Sequence, residues 1–206
     1  MKTILCYGDS NTHGTKPGKN AGRYAYSERW TGILQQLLGK EYLIIEEGCP
    51  GRTTVWDDPI EQHKNGLAYL PACLDSHKPL DWVLLMLGTN DLKYRFSLTA
   101  FDIAEGIGRL AKTIQKSEAG VNGGSPQILI MAPPPVIEAG HLIEMLKGGR
   151  EKSLQFAAQY QRVAKELGCE FFDTSTVISV SPTDGVHYEP EEHVKLAKAL
   201  AAILLA

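Results

Sequence analysis

Five short apolar runs, residues 2–7, 42–46, 81–87, 127–132 and 170–173, are spread along the chain with helix-like patterns between them. Each is too short for an ordinary helix and is rich in Ile, Leu, Val or aromatic residues, so each reads as a strand. Strands that alternate with helical stretches call for crossover connections, and crossovers lay strands parallel. That alternation restricts the chain to an α/β fold with a five-stranded parallel sheet. With 206 residues it is expected to form a single domain, residues 1–206, and no internal repeat divides it.

The intervening segments carry helix signals. Residues 28–38 place Ile33, Leu34, Leu37 and Leu38 on one side and end at Gly39; Leu67, Leu70, Cys73 and Leu74 form a second stripe. Thr99 with Asp102 predicts an N-terminal cap for a third helix, whose Ile103, Ile107, Leu110, Ala111 and Ile114 recur at helical spacing. A fourth helix is expected over about 150–167 before Gly168. Pro190 opens a terminal one with Val194, Ala197, Leu200, Ala201 and Leu204 on its apolar face. The Gly-rich residues 119–126 read as a surface connection, Pro133 to Pro135 stop the fourth strand, and residues 136–149 form a loop or short helical insertion.

Chemistry-bearing residues collect where the strands stop. Ser10 lies in Gly8-Asp9-Ser10-Asn11 after the first run, Gly51 follows Cys49-Pro50 after the second, and Asn90 stands in Gly88-Thr89-Asn90-Asp91 after the third. Asp184-Gly185-Val186-His187 follows the fifth. Open parallel sheets bind ligands outside the carboxyl ends of their strands, so one edge of one sheet gathers all of them. A serine that attacks a carbonyl needs a base and fixed donors for the oxyanion. His187 is the candidate base, Asp184 its orienting partner, and the donors are the Ser10 and Gly51 backbone N–H groups and the Asn90 side chain. Singly, each has an ordinary reading as a capping serine, a turn residue or a surface histidine; their order and placement together favour catalysis. Asp9 and Asp91 read as structural, holding their loops by hydrogen bonds to backbone N–H groups. Trp56, Tyr94 and Phe96 are candidates for pocket walls and Lys93 for the entrance.

The four blocks Gly8-Asp9-Ser10, Gly51-Arg52-Thr53-Thr54, Gly88-Thr89-Asn90-Asp91 and Asp184-x-x-His187 resemble those of the SGNH, or GDSL, hydrolases, in the same order and over nearly the whole chain. Arg29-Trp30-Thr31-Gly32, Glu46-Glu47-Gly48, Asp57-Asp58-Pro59, Tyr69-Leu70-Pro71 and Phe171-Phe172-Asp173 are similar to the bacterial arylesterases that also act as acyltransferases and perhydrolases. The resemblance implies a flavodoxin-like, three-layer α/β/α sandwich and hydrolysis of short acyl esters. It also implies a catalytic Ser10, Asp184 and His187 with Ser10, Gly51 and Asn90 as the oxyanion hole. A homo-oligomer is implied too, with residues 136–149 as the candidate interface or lid. Asn11 and Cys49-Pro50 depart from the family pattern at the pocket wall, where substrate range is set. Carbohydrate acetylesterase, lysophospholipase and a non-catalytic binding module stay open as alternatives.

Other classes fit poorly. The formal charge is −3 with no long stretch of one sign, which argues against nucleic acid or an anionic membrane as partner. No apolar run approaches the ~20 residues of a membrane span, and the first residues lack a signal-like core, so a cytoplasmic chain with a small-molecule ester as partner is expected. Cys6, Cys49, Cys73 and Cys169 form no C-x-x-C pair and read as reduced thiols. His13, His63, His77, His141 and His193 show no H-E-x-x-H and no cysteine partner, and nucleotide-binding and G-x-S-x-G signatures are missing. No metal or cofactor is expected.

Overall fold

The computed structural model describes residues 1–206 and forms the five runs into strands β1 (Lys2–Gly8), β2 (Tyr42–Gly48), β3 (Trp82–Met86), β4 (Gln127–Ala132) and β5 (Glu170–Asp173). All pair in parallel in the order β2-β1-β3-β4-β5. The helices are α1 (Ser10–His13), α2 (Trp30–Leu38), α3 (Gly66–His77), α4 (Ala100–Gln115), α5 (Gly149–Ser153), α6 (Phe156–Leu167) and α7 (Pro190–Leu205).

Successive strand residues face opposite sides, so a strand covered on both must be apolar throughout. Ile4, Cys6, Leu84, Met86, Leu129 and Met131 enter one core, closed by α2 and α7. Their neighbours Leu5, Tyr7, Val83, Leu85, Ile128 and Ile130 enter the other, closed by α3, α4 and α6. This is the expected three-layer sandwich. β2 lies at the sheet edge, where its polar Glu46 and Glu47 are tolerated, and it pairs in register with β1 as far as Gly8 and Gly48. A Cβ at Gly48 would lie 2.1 Å from the His13 backbone nitrogen, so this glycine lets α1 sit directly against the end of β2.

The helix ends follow local chemistry. The Thr99 hydroxyl accepts from the Asp102 N–H at 3.1 Å while the Asp102 carboxylate accepts from the Thr99 N–H at 2.9 Å, which starts α4 with two otherwise orphaned donors paired. The Asn65 side-chain oxygen caps α3 by accepting the Leu67 and Ala68 N–H groups, and Gly39 and Gly168 end α2 and α6 at positive φ.

Three expectations need correction. The helix over 150–167 is broken into α5 and α6, because Ser153 is buried and its hydroxyl accepts the Val136 N–H at 3.1 Å, anchoring α5 to the insertion instead of to the helix behind it. Leu37 and Val194 are exposed; α7 turns His193 and Leu196 inward instead. Residues 119–126 are a surface connection only in part, since Ala119 is fully buried and its carbonyl accepts the Leu80 N–H at 2.8 Å. No helix is long and apolar enough to cross a membrane.

Candidate active site

The chain leaves β1 toward one side of the sheet and β3 toward the other, which opens a crevice at their carboxyl ends. β1 runs out at Gly8, and the Asp9 carboxylate accepts the Asn11 N–H at 2.9 Å, so the chain turns at once into α1 with Ser10 as its first residue. Arg52 secures this turn from the next loop. Its guanidinium stacks 4.2 Å above the Tyr7 ring, and its Nη1 donates to the Gly8 carbonyl at 2.9 Å and also to the Glu47 carbonyl.

Asn90 is fixed through its neighbour. Asp91 is buried, and both its carboxylate oxygens accept the Thr54 N–H at 3.0 Å, so the loop after β3 is tied to the one that carries Gly51. Asp9 and Asp91 thus hold their loops as expected. Burial pushes each carboxyl up to about 6 against the pull of these hydrogen bonds.

His187 is held more firmly still. The fully buried Asp184 carboxylate accepts from the Gly18 N–H at 2.8 Å, the Val186 N–H at 3.1 Å and the His187 N–H at 3.0 Å, and it lies 2.8 Å from the His187 Nδ1. Burial works against the charge, but the bonds from His187 and Gly18 outweigh it and keep the carboxyl well below its usual range. An ionised carboxylate only accepts, so Nδ1 carries the proton and Nε2 presents its lone pair. That Nε2 lies 3.1 Å from the Ser10 Oγ. The loop turns tightly at Gly185, where a Cβ would lie 1.7 Å from the Ile137 carbonyl oxygen.

Ser10, Gly51, Asn90 and His187 line one cavity of about 200 Å³, and Asp184 stands behind His187. All five predicted positions therefore converge. The Gly51 N–H and the Asn90 side-chain amide are bonded to no other group of the chain and are free to donate to a ligand. Leu142, Met145, Leu146 and Val186 form the apolar wall, so the 136–149 insertion contributes to the cavity of its own chain.

The aromatic candidates for the pocket wall stand elsewhere. Trp56, Tyr94 and Phe96 do not line the cavity; the first two are exposed to solvent and Phe96 packs on the core. Lys93 does line it, yet not as a free cation: its ammonium is buried between Asp58 at 3.1 Å and Glu61 at 2.8 Å. Cys49 lies outside the cavity wall, whereas its neighbour Pro50 is part of it. Asn11 is not a wall residue either. It is buried, and its Nδ2 donates to the Val186 carbonyl at 3.1 Å, joining the Ser10 turn to the His187 loop. Nothing local to Asn11 in the sequence signals that contact, because its partner lies 175 positions away.

His77 has a thiol beside it, contrary to the expectation that no histidine has a cysteine partner: Cys73 and His77 stand four residues apart on α3.

The family model described as "GDSL-like Lipase/Acylhydrolase family" matches residues 6–194. Among solved structures, the native aryl esterase of M. smegmatis is 40% identical with a TM-score of 0.96, covering 100% of this chain and 99% of that one. A carbohydrate acetylesterase from Sinorhizobium meliloti is also 40% identical, with a TM-score of 0.94 over the same shares of the two chains. A member of the lipolytic protein G-D-S-L family from Veillonella parvula, 15% identical with a TM-score of 0.71, shares the fold. No curated protein matches the chain.

Proposed function

The chain belongs to the GDSL-like lipase/acylhydrolase family and is an ester-hydrolysing serine hydrolase, and we propose that Ser10, His187 and Asp184 carry its reaction on short-chain aryl and alkyl esters. The observation that carries this reading is the continuous chain of contacts from Asp184 through His187 to the Ser10 Oγ, 2.8 Å and 3.1 Å long. His187 Nε2 takes the Ser10 hydroxyl proton as Oγ bonds to the ester carbonyl carbon. The oxyanion is held by the Ser10 and Gly51 N–H groups and the Asn90 amide. The leaving alkoxide departs with the proton from Nε2, and the acyl group stays on Ser10. Water then gives its proton to Nε2, attacks the acyl-enzyme and releases the acid, and the proton returns to Ser10.

The small cavity and its apolar wall of Leu142, Met145, Leu146 and Val186 support a short acyl group and restricted access for water at the acyl-enzyme. Acyl transfer to added alcohol or peroxide is part of the proposal on that ground. A homo-oligomer is proposed as well, supported by the exposed Tyr94, Ile137, Ile143 and Leu154 on and beside the insertion. The test of the central reading is the Ser10→Ala protein on p-nitrophenyl acetate with a fluorophosphonate label in parallel. Hydrolysis and labelling are both expected to vanish while the fold persists; unchanged turnover would refute the assignment.

A further inference from the structure

On α3, Cys73 and His77 are separated by one helical turn and therefore project from the same face, toward the end of β2 where Glu47 lies. The Glu47 carboxylate, the Cys73 sulfur and a His77 ring nitrogen all lie within 4.8 Å of one another, and His77 Nε2 is 2.9 Å from Glu47 Oε1. None of the three lines the esterase cavity. We propose that Glu47, Cys73 and His77 form a second site, one that binds a divalent transition-metal ion of the zinc class with water as the fourth ligand.

The donor set selects the class of ion. Calcium and magnesium take oxygen ligands throughout, whereas a thiolate, an imidazole and a carboxylate together suit a borderline-soft, tetrahedral ion. Bonds of about 2.0–2.3 Å place the ligand atoms of such an ion roughly 3.3–3.8 Å apart, so the cluster needs only small side-chain rotations to close on it. Charge balances in the bound state: the Cys73 S–H bond gives its proton to solvent as the S–metal bond forms, the thiolate and the Glu47 carboxylate offset the dication, and the imidazole is the neutral ligand. Arg52, the nearby cation, is engaged elsewhere by the Tyr7 ring and by the Gly8 and Glu47 carbonyls. The Tyr69 hydroxyl, 3.4 Å from Glu47 Oε1, supplies an outer hydrogen bond that orients the carboxylate. Entry is open, because the His77 and Glu47 side chains keep 27% and 19% of their surface in solvent.

The probe is cobalt(II), titrated into the chelator-stripped full-length protein. One equivalent is expected to give the ligand-field bands of tetrahedral cobalt together with a near-ultraviolet thiolate-to-cobalt charge-transfer band, both displaced by zinc. Cys73→Ser should abolish the charge-transfer band. Since Cys73 is buried and its replacement risks the fold, His77→Gln is the second variant: it should weaken cobalt binding by at least about tenfold and leave metal-free ester hydrolysis unchanged. Cys49→Ser should leave the band intact. Absence of the band in the wild-type protein, its loss in Cys49→Ser, or unaltered affinity in His77→Gln would each overturn the proposal.

Discussion

Asp184 accepts four hydrogen bonds, one from Gly18 far from it in sequence and three from its own loop, so it orients His187 and builds the loop at the same time. Asp184→Asn keeps the volume but puts an amide donor against Nδ1, which favours the wrong imidazole tautomer; kcat should fall by about 10³–10⁴ with KM little changed. Stopped assays on p-nitrophenyl acetate check this, and a loss below tenfold would contradict the role. Asn90→Ala removes one unbonded donor from the cavity and should lower kcat by about 10²–10³ without unfolding the chain, as turnover and circular dichroism together would show. The positions of these residues were legible because each combines a telling residue type with a strand end. The Asn11 bond to the Val186 carbonyl was not, since it spans 175 positions and depends on how two loops settle against each other.

At the level of elements, strands were the easiest to read, because burial on both faces forces an uninterrupted apolar run. Helices set by local chemistry followed closely, as α4 shows with its reciprocal Thr99 and Asp102 bonds. Thr99→Ala should cost about 1 kcal/mol of stability and leave kcat untouched, as urea unfolding and an activity assay would report. Elements fixed by tertiary contacts are not legible in the sequence. The break between α5 and α6 follows from the buried Ser153 contact with Val136, and the inward turn of His193 on α7 from the Trp30 N–H that its Nδ1 accepts at 3.2 Å. The insertion belongs to the same class. Its Leu142, Met145 and Leu146 meet the catalytic residues only in three dimensions, and Leu146→Ala should shift the preferred acyl chain to longer esters. An unchanged ranking of p-nitrophenyl acetate, butyrate and octanoate would count against that wall.

Across the whole molecule, buried ionisable groups oppose one another in their effect on stability. Asp9 and Asp91 are pushed up to about 6 by burial, so between about pH 4 and 6 the folded chain binds more protons than the unfolded one, and their contribution falls as pH rises through that window. His13 and His193 are pushed down to about 4 by burial and then by nearby arginines, with reference values of about 6.5. There the folded chain binds fewer protons, so their contribution is full above about pH 6.5 and is lost as pH falls toward 4. The two slopes have opposite sign over nearly the same range and offset each other, with His13 counting for less because solvent screens it. His193→Asn removes one side of that balance while its side-chain oxygen can still accept the Trp30 N–H. Its cost in stability relative to wild type should be about 2–3 kcal/mol larger near pH 7.5 than near pH 4.5, because only the wild type loses the histidine contribution on acidification. Urea midpoints for both proteins at the two pH values measure this directly, and a cost independent of pH would show that His193 does not titrate against its burial.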